Sequence, residues 1–332
     1  MTEAVEARPL AAEFDRISRR EWLALGDAFY RRLDATFASL EADAWRRTTP
    51  YLGWSAHDVL AHMTSAMPVN FREVLARALD GNAAPPAEFD TFHRNARAVA
   101  ERRARSIPQL LDEFHRELEA ILAIYRGMSD ADWERPAWFF VGPVRVRTLF
   151  LVQLADNVFH ERDLLIAGGA WAGLQPDWGR PLIDWFFREY RPAIFRPDAI
   201  AGLRTTVWYH LTGEVGGDWT MTIADGRCGV ERGELLTAEL HFGGDAEAVI
   251  AAGLARSAPW VGSAARLASR IVRPRDEERF VAKVTGSASL AAAIAARRIR
   301  LRGDTTVARK LNRAFWHFWE RSAMTERNIG RS

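Results

Sequence analysis

Two side chains four residues apart, Asp156 and His160 in the segment LVQLADNVFHERDLL (151–165), are the residues of this sequence best placed to do chemistry. On an α-helix of ~3.6 residues per turn they leave the same face, a carboxylate above an imidazole. Such a pair is a two-ligand platform for a metal ion. Val152, Ala155, Phe159 and the run Leu164, Leu165 and Ile166 form an apolar stripe around it, which turns the pair toward a protein interior. A third ligand has to come from another helix, and His62 in GWSAHDVLAHM, between Leu60 and Met63, has the inward setting for it. Three ligands of type His, Asp and His suit Zn²⁺ or a similar borderline divalent ion and leave one coordination position open for water or substrate. The plainer reading stands beside this one. A histidine on an apolar face is more often a hydrogen-bonded core residue, and an Asp/His pair at this spacing can be a simple helix-surface interaction.

The elements that must position these residues follow from apolar periodicity. A first helix runs over about 13–45, with Trp22, Phe29, Leu33 and Phe37 recurring at three and four residues. After a short loop, Ser55 can cap a second helix to about residue 79, with Asp58 complementing its positive start. The breaker DGNAAPP (80–86) precedes a third helical region over 88–128, interrupted at Pro108, where Ser106 can cap the restart. Residues 129–146, with two prolines and several aromatics, read as an ordered loop over the end of a bundle. The helix carrying Asp156 and His160 stops at Gly168 and Gly169. Four long helices with short to medium connections predict a bundle, and bundles build metal sites from facing helices. Beyond a linker near 173–176 and a helix over 178–195, strand-like runs at 205–211, 219–223, 227–231 and 236–242 alternate with turn residues. Helices near 243–254 and 290–296, a strand at 299–302 and a last helix over 304–321 complete an α+β unit with an antiparallel sheet. The predicted fold class is therefore α plus α+β.

Composition bounds the rest. The 332 residues allow about two domains, and 48% apolar with 27% charged residues is ordinary for a globular protein. No apolar run nears the ~20 residues that span a bilayer, and the acidic start MTEAVEARPL lacks the character of a secretory signal, so the expectation is a cytoplasmic protein without a membrane span. Cys228, the single cysteine, excludes an intrachain disulfide and a multi-cysteine zinc cluster. Any thiol chemistry would take its thiol from outside. Cys228 itself reads as a small packed side chain on a strand. The net charge is +2 and the pI about 8.9, which without a basic cluster does not argue for nucleic acid. The densest arginines, Arg256, Arg266, Arg270, Arg273, Arg275 and Arg279, read as a solvated face, with an anion or acidic-partner site as the alternative. His57 lies some 140° around its helix from His62 and is not expected to share a metal with it. His93 and His115 read as surface residues, and His210 and His241 as cross-strand packing.

Two resemblances are carried by these segments. The first half resembles the DinB-like superfamily, in particular its mycothiol-dependent maleylpyruvate isomerase branch. GWSAHDVLAHM (53–63) is similar to that branch's GWTxxDVxxHL, and DNVFHERDL (156–164) to its ExxxHxxDL. The resemblance implies a four-helix bundle over 13–172 with metal ligands His62, Asp156 and His160, and mycothiol or a similar thiol as cosubstrate. Asp156 stands where the branch carries glutamate, and the shorter arm leaves open a longer metal bond, a changed metal preference or no binding. The second half resembles a sterol-carrier-protein-like domain over 177–325, through LHFGGDAEAVIAAGL (240–254) and RIRLRGDTTVARKL (298–311). Residues 255–286 form an Arg-rich insertion relative to that pattern. In this pairing the second domain is expected to help close the active-site cleft.

The chemistry implied is a metal-held thiolate that attacks a small electrophilic metabolite, the sulfur leaving after bond rotation in an isomerase or staying attached in an S-transferase. Asp163, three residues past His160, can accept the proton of the imidazole nitrogen that does not face the metal. Its other reading is an exposed charge near the helix end. Trp54, Trp138 and Phe139, in loops near the metal end, are expected to line the substrate cleft; Trp22, Trp185, Trp316 and Trp319 read as core or domain-interface residues. The expected partners are a small substrate and a thiol, in a monomer or homodimer. The alternative is a metal-free or non-catalytic scaffold that binds an apolar ligand or specialised metabolite between the two domains.

Overall fold

The computed structural model describes residues 17–84, 88–139, 142–254, 256, 258–315 and 323–325. Helix α1 (Arg19–Ser39) begins at a reciprocal cap between Ser18 and Glu21 and buries Trp22, Phe29, Leu33 and Phe37. Its expected first residues, 13–16, lie outside the described residues. Ser55 and Asp58 cap α2 (Ala56–Ala66) in the same way. This helix does not continue to residue 79 as one cylinder. Pro68 removes a backbone donor, and the chain widens into a π-helical turn, Met67–Arg72, before α3 (Glu73–Leu79). A short strand β1 (Glu88–Asp90) and α4 (Thr91–Arg102) follow, and the break at Pro108 is resolved by a Ser106–Gln109 cap that starts α5 (Ile107–Gly127).

The segment expected to be a loop is instead a four-residue helix, α6 (Asp130–Trp133), and an antiparallel hairpin, β2 (Pro136–Phe139) and β3 (Gly142–Arg145). Ala137, Trp138 and Phe139 are all buried, so this short strand carries no alternation by which the sequence could announce it. Helix α7 (Val146–Gly168) is 23 residues long, buried on nearly every face, and closed by Gly169 at φ 78. The apolar stripe read from the sequence is thus part of a core helix. Polar side chains in it are matched by α1: Arg32 donates to both Glu161 oxygens at 2.9 and 2.6 Å, and Tyr30 accepts from Gln153 and Asn157 at 3.0 and 3.1 Å. Helix α2 packs against α4, α5 and α7.

The C-terminal region starts with α8 (Pro176–Trp185), a second π-helical turn, Phe186–Tyr190, and α9 (Arg191–Ala193). Five strands form one sheet: β4 (Thr205–Thr212), β5 (Gly217–Ala224), β6 (Arg227–Arg232), β7 (Leu240–Asp245) and β8 (Ile299–Gly303), in the order β6-β5-β4-β7-β8. The sheet is mixed, because β7 pairs with β4 in parallel while the other pairings are antiparallel. After β6 the chain crosses to the free side of β4 instead of turning back beside its neighbour, an ordering that alternation within a strand does not encode. Helices α10 (Ala246–Gly253), α11 (Pro259–Val272), α12 (Glu277–Ala295) and α13 (Thr305–Ala314) and a short β9 (Ala323–Thr325) complete the chain, β9 pairing with β1. The last helix beyond residue 315, with Trp316 and Trp319, lies outside the described residues. No helix among the described residues is long and apolar enough to cross a membrane.

The Arg-rich stretch is not one solvated face. It folds as the α11–α12 pair, and of the six arginines only Arg270, Arg273 and Arg275 are exposed. Arg266 donates to the Leu52 carbonyl at 2.8 Å and pairs with Glu278, while Arg256 is buried. This brings α11 hard against the loop before α2. A Cβ at Gly262 would lie 2.2 Å from the Gly53 nitrogen, and Gly53 itself sits at φ +69. Gly262→Ala is expected to destabilise the fold by about 1–3 kcal/mol through overpacking. Differential scanning calorimetry would show this as a melting temperature lowered by several degrees; an unchanged transition would mean that the two backbones are not held in contact.

Candidate metal centre and adjoining cavity

Helix α2 contributes His62 and α7 contributes Asp156 and His160, and one ligand atom from each lies within 4.8 Å of the others. His160 Nε2 is 3.4 Å from Asp156 Oδ1, and His62 Nε2 is 3.9 Å from Asp156 Oδ2. Ligands ~2.0–2.1 Å from a tetrahedral ion stand ~3.4 Å apart, so the Asp156–His160 pair has that spacing and His62 sits slightly wider. The aspartate arm is long enough to face both imidazoles. The two rings meet edge to face at 4.8 Å, with Tyr51 4.8 Å from His160 and Trp54 5.4 Å from His62.

The polar atoms here are short of partners. His62 Nδ1 and both ring nitrogens of His160 are buried without a hydrogen bond. Buried polar groups are nearly always satisfied, and imidazole nitrogens beside a carboxylate are the donor set of a divalent ion, so these residues fit one. Burial, with the charge of His160 second, pushes His62 down to about 3 and keeps it neutral. For Asp156 burial acts upward, but the adjacent His160, with His62 and Arg256, outweighs it and holds the carboxyl below its usual range. For His160 burial acts downward and is overcome by Asp156 and Asp163, leaving it raised. An ionised carboxylate and one neutral imidazole are therefore already in the protonation states that ligation requires.

Asp163 is fully buried rather than an exposed charge, and its Oδ2 is 3.3 Å from His160 Nδ1. Behind it, Arg256 Nε donates to the same oxygen at 3.1 Å, and the guanidinium lies over the Tyr51 and Phe159 rings at 4.8 and 5.3 Å. Sequence reasoning missed Arg256 and Tyr51. Arg256 stands 93 residues beyond Asp163 among other arginines, and no local pattern separates it from them. Tyr51 sits in the loop before α2 and gave no signal of its own.

Asp156, about a third exposed, opens onto a cavity of about 870 Å³ including its mouth. The wall is drawn from both regions of the chain, with Phe71, Phe139 and Phe159 on one side and Ile183, Trp185 and Phe186 on the other. Of the three aromatics expected there, Phe139 lines the cavity, and it does so from β2. Trp54 packs on His62 instead, and Trp138, also on β2 and not in a loop, is buried away from the lining. Trp22 is a core residue and Trp185 joins the cavity wall.

The other histidines stand apart. His57 donates to the Arg105 carbonyl at 2.9 Å, His115 pairs with Asp34, His210 pairs with Asp218, His93 is exposed near Asp276, and His241 packs on Trp208. Cys228 is half-buried on β6, and burial pushes its thiol up to about 11. Iodoacetamide at pH 7.5 is expected to label it roughly a hundredfold more slowly than free cysteine, with the rate climbing toward pH 11. Mass spectrometry of the intact protein over time measures this; labelling at the rate of a free thiol would contradict the packed assignment.

The comparisons bear on this geometry. No curated protein matches the chain significantly. A crystal structure of a mycothiol-dependent maleylpyruvate isomerase superposes with a TM-score of 0.52 at 12% identity, covering 74% of this chain and 92% of that one. A histidine-to-alanine mutant of that isomerase superposes with a TM-score of 0.50 at 13% identity and the same coverage. At such identity the likeness is one of fold, and it extends past α7 into the sheet-containing region. Residues 27–165, which carry His62, Asp156 and His160, match the family described as the mycothiol maleylpyruvate isomerase N-terminal domain.

Proposed function

We propose that this chain is a thiol-dependent isomerase or S-transferase acting on a small electrophilic metabolite, with its centre at His62, Asp156 and His160. The observation that carries the reading is the convergence of these three side chains, two of them buried with unpartnered nitrogens, at the wall of a cavity. The match of residues 27–165 and the mycothiol-dependent isomerase fold support it. A divalent ion held there, Zn²⁺ or a similar one, supplies a Lewis acid that keeps a thiol such as mycothiol ionised at neutral pH.

The protein's own groups do the positioning. Asp163 faces His160 Nδ1 and draws the proton to that nitrogen, which leaves Nε2 with its lone pair toward Asp156 and His62. Arg256 holds Asp163 in place. The aromatic wall excludes water from an attacking sulfur and its electrophile. In an isomerisation the sulfur adds to a conjugated carbon, the former double bond rotates, and the sulfur leaves with its bonding pair. In a transfer the C–S bond persists and the carbon framework takes up a proton.

The reading includes a DinB-like four-helix bundle over 13–172, built from α1, α2, α5 and α7, and a sterol-carrier-like unit over 177–325. It places a monomer or homodimer in the cytoplasm, where a small thiol is supplied. The cavity between the regions favours a second reading, a metal-free scaffold that binds an apolar ligand.

Metal content of the untagged protein by inductively coupled plasma mass spectrometry, wild type beside Asp156→Ala, separates the two. About one ion per wild-type chain, lost in the variant, is expected under the donor set described. No ion in the wild type, even after reconstitution, would overturn the thiol-dependent reading and leave the scaffold reading.

A further inference from the structure

The cavity wall restricts what the electrophile can be. Among the described residues that line it there is no lysine or arginine, and its one acidic side chain is Asp156. Arg256, beside the centre, is turned away: its charge is engaged by Asp163, and the Tyr51 and Phe159 rings lie between it and the cavity. Maleylpyruvate, named for both structural neighbours, carries two carboxylates. A divalent ion held by Asp156 and carrying a thiolate has no net charge left over, so a dianion entering this cavity would leave water without a cationic partner in the wall.

What the wall does offer is apolar contact and one polar corner. The apolar contacts come from α7, from β2 and from both π-helical turns, which turn Asn70 and Phe71 inward from one side and Phe186 and Tyr190 from the other. π-Helical turns occur preferentially at functional sites, and here two of them face one cavity. The polar corner is Asn70 and Asn95, 5% and 7% exposed, with Asn70 Nδ2 donating to Asn95 Oδ1 at 3.1 Å. Asn70 Oδ1 is buried with no partner. A ligand hydroxyl, which both donates and accepts, satisfies this amide whichever way it is turned.

Resting on the thiol-dependent reading above, we infer that the substrate is an uncharged conjugated compound with an aromatic or bulky alkyl body and a hydroxyl, or similar group, that bonds to Asn70. The wall offers a dicarboxylate no cationic side chain. The aromatic body stacks among Phe71, Phe139 and Phe186, and the conjugated carbon is left toward Asp156 and His62.

The test is a binding titration of the full-length protein, as purified and after dialysis against EDTA, with three probes: para-hydroxybenzylideneacetone, benzylideneacetone and maleate. Isothermal titration calorimetry reports binding. Both enones are expected to bind at least about tenfold more tightly than maleate, and the hydroxyl to add about another tenfold. Asn70→Leu is expected to remove the hydroxyl's advantage and leave benzylideneacetone within about threefold of wild type. Asn95→Ala gives the same readout should the first variant not fold. Maleate binding as tightly as the enones, no saturable enone binding, or a hydroxyl advantage that survives the variants would each overturn the assignment. The EDTA-treated protein gives this readout with metal removed. Enone binding by a chain that holds no ion keeps the assignment and removes the thiol reading; an ion-bearing chain that binds maleate alone does the reverse.

Discussion

His160→Ala is expected to abolish stoichiometric divalent-metal binding while the helical core remains folded. The side chain is fully buried, and neither ring nitrogen has a hydrogen bond. Removing a partner of a metal-bound imidazole lowers affinity ~10–100-fold in comparable sites, so losing one of only three ligands should cost on the order of a hundredfold or more. The fold should tolerate the change better than most deletions at such depth. The imidazole leaves a cavity, but two unsatisfied polar atoms go with it, and α7 remains anchored by the Arg32–Glu161 contact at the next residue and by the Tyr30 contacts about one and two turns away. His62→Ala should behave in the same way, and His57→Ala, on the far side of α2, should keep its metal. Metal analysis beside far-ultraviolet circular dichroism makes the comparison. Full metal content in both His62 and His160 variants would sink the centre.

The second large effect is expected at Arg256. Its guanidinium and the Asp163 carboxylate are both almost wholly buried, 3% and 0% exposed, and each is the other's ion-pair partner. Arg256→Ala takes from a buried carboxylate its nearest arginine and leaves only Arg162, 3.8 Å away, a change that costs about 3–5 kcal/mol. It also strips the cation from the Tyr51 and Phe159 rings, loosens the bridge between Arg256 and Tyr51, and leaves the Ser289 hydroxyl to hold this stretch through the backbone carbonyl. Urea unfolding measures the loss. Arg256→Lys should recover only part of it, because an ammonium cannot reproduce the planar fork over two rings. The double variant Arg256→Met with Asp163→Asn should recover most of it, since removing both charges removes the desolvation cost with them. Arg270→Ala, on the exposed face of α11, should stay within about 0.5 kcal/mol of wild type. If Arg256→Ala proves equally mild, the C-terminal region does not brace the centre.

What was legible in the sequence was local. Three-and-four periodicity gives α1, α2, α5 and α7, because a helix that buries one face must repeat its apolar residues with the helical turn. The caps at Ser55 and Ser106 mark helix starts by the same logic, since the first backbone donors need an acceptor within three residues. Asp156 and His160 share a face for the reason that places any pair four residues apart on one face. The matching of His62 to them already leaned on resemblance, as its spacing from Asp156 carries no helical meaning. The tertiary structure decided which faces meet. It joined α2 to α7, so that His62 reaches Asp156, and it set β7 parallel to β4. It drew Arg256 out of an arginine-rich stretch to stand behind Asp163. It also made an apolar cavity out of two π-helical turns more than a hundred residues apart. None of these is written in a local pattern, because periodicity records that a side chain will be buried and is silent on what it will be buried against.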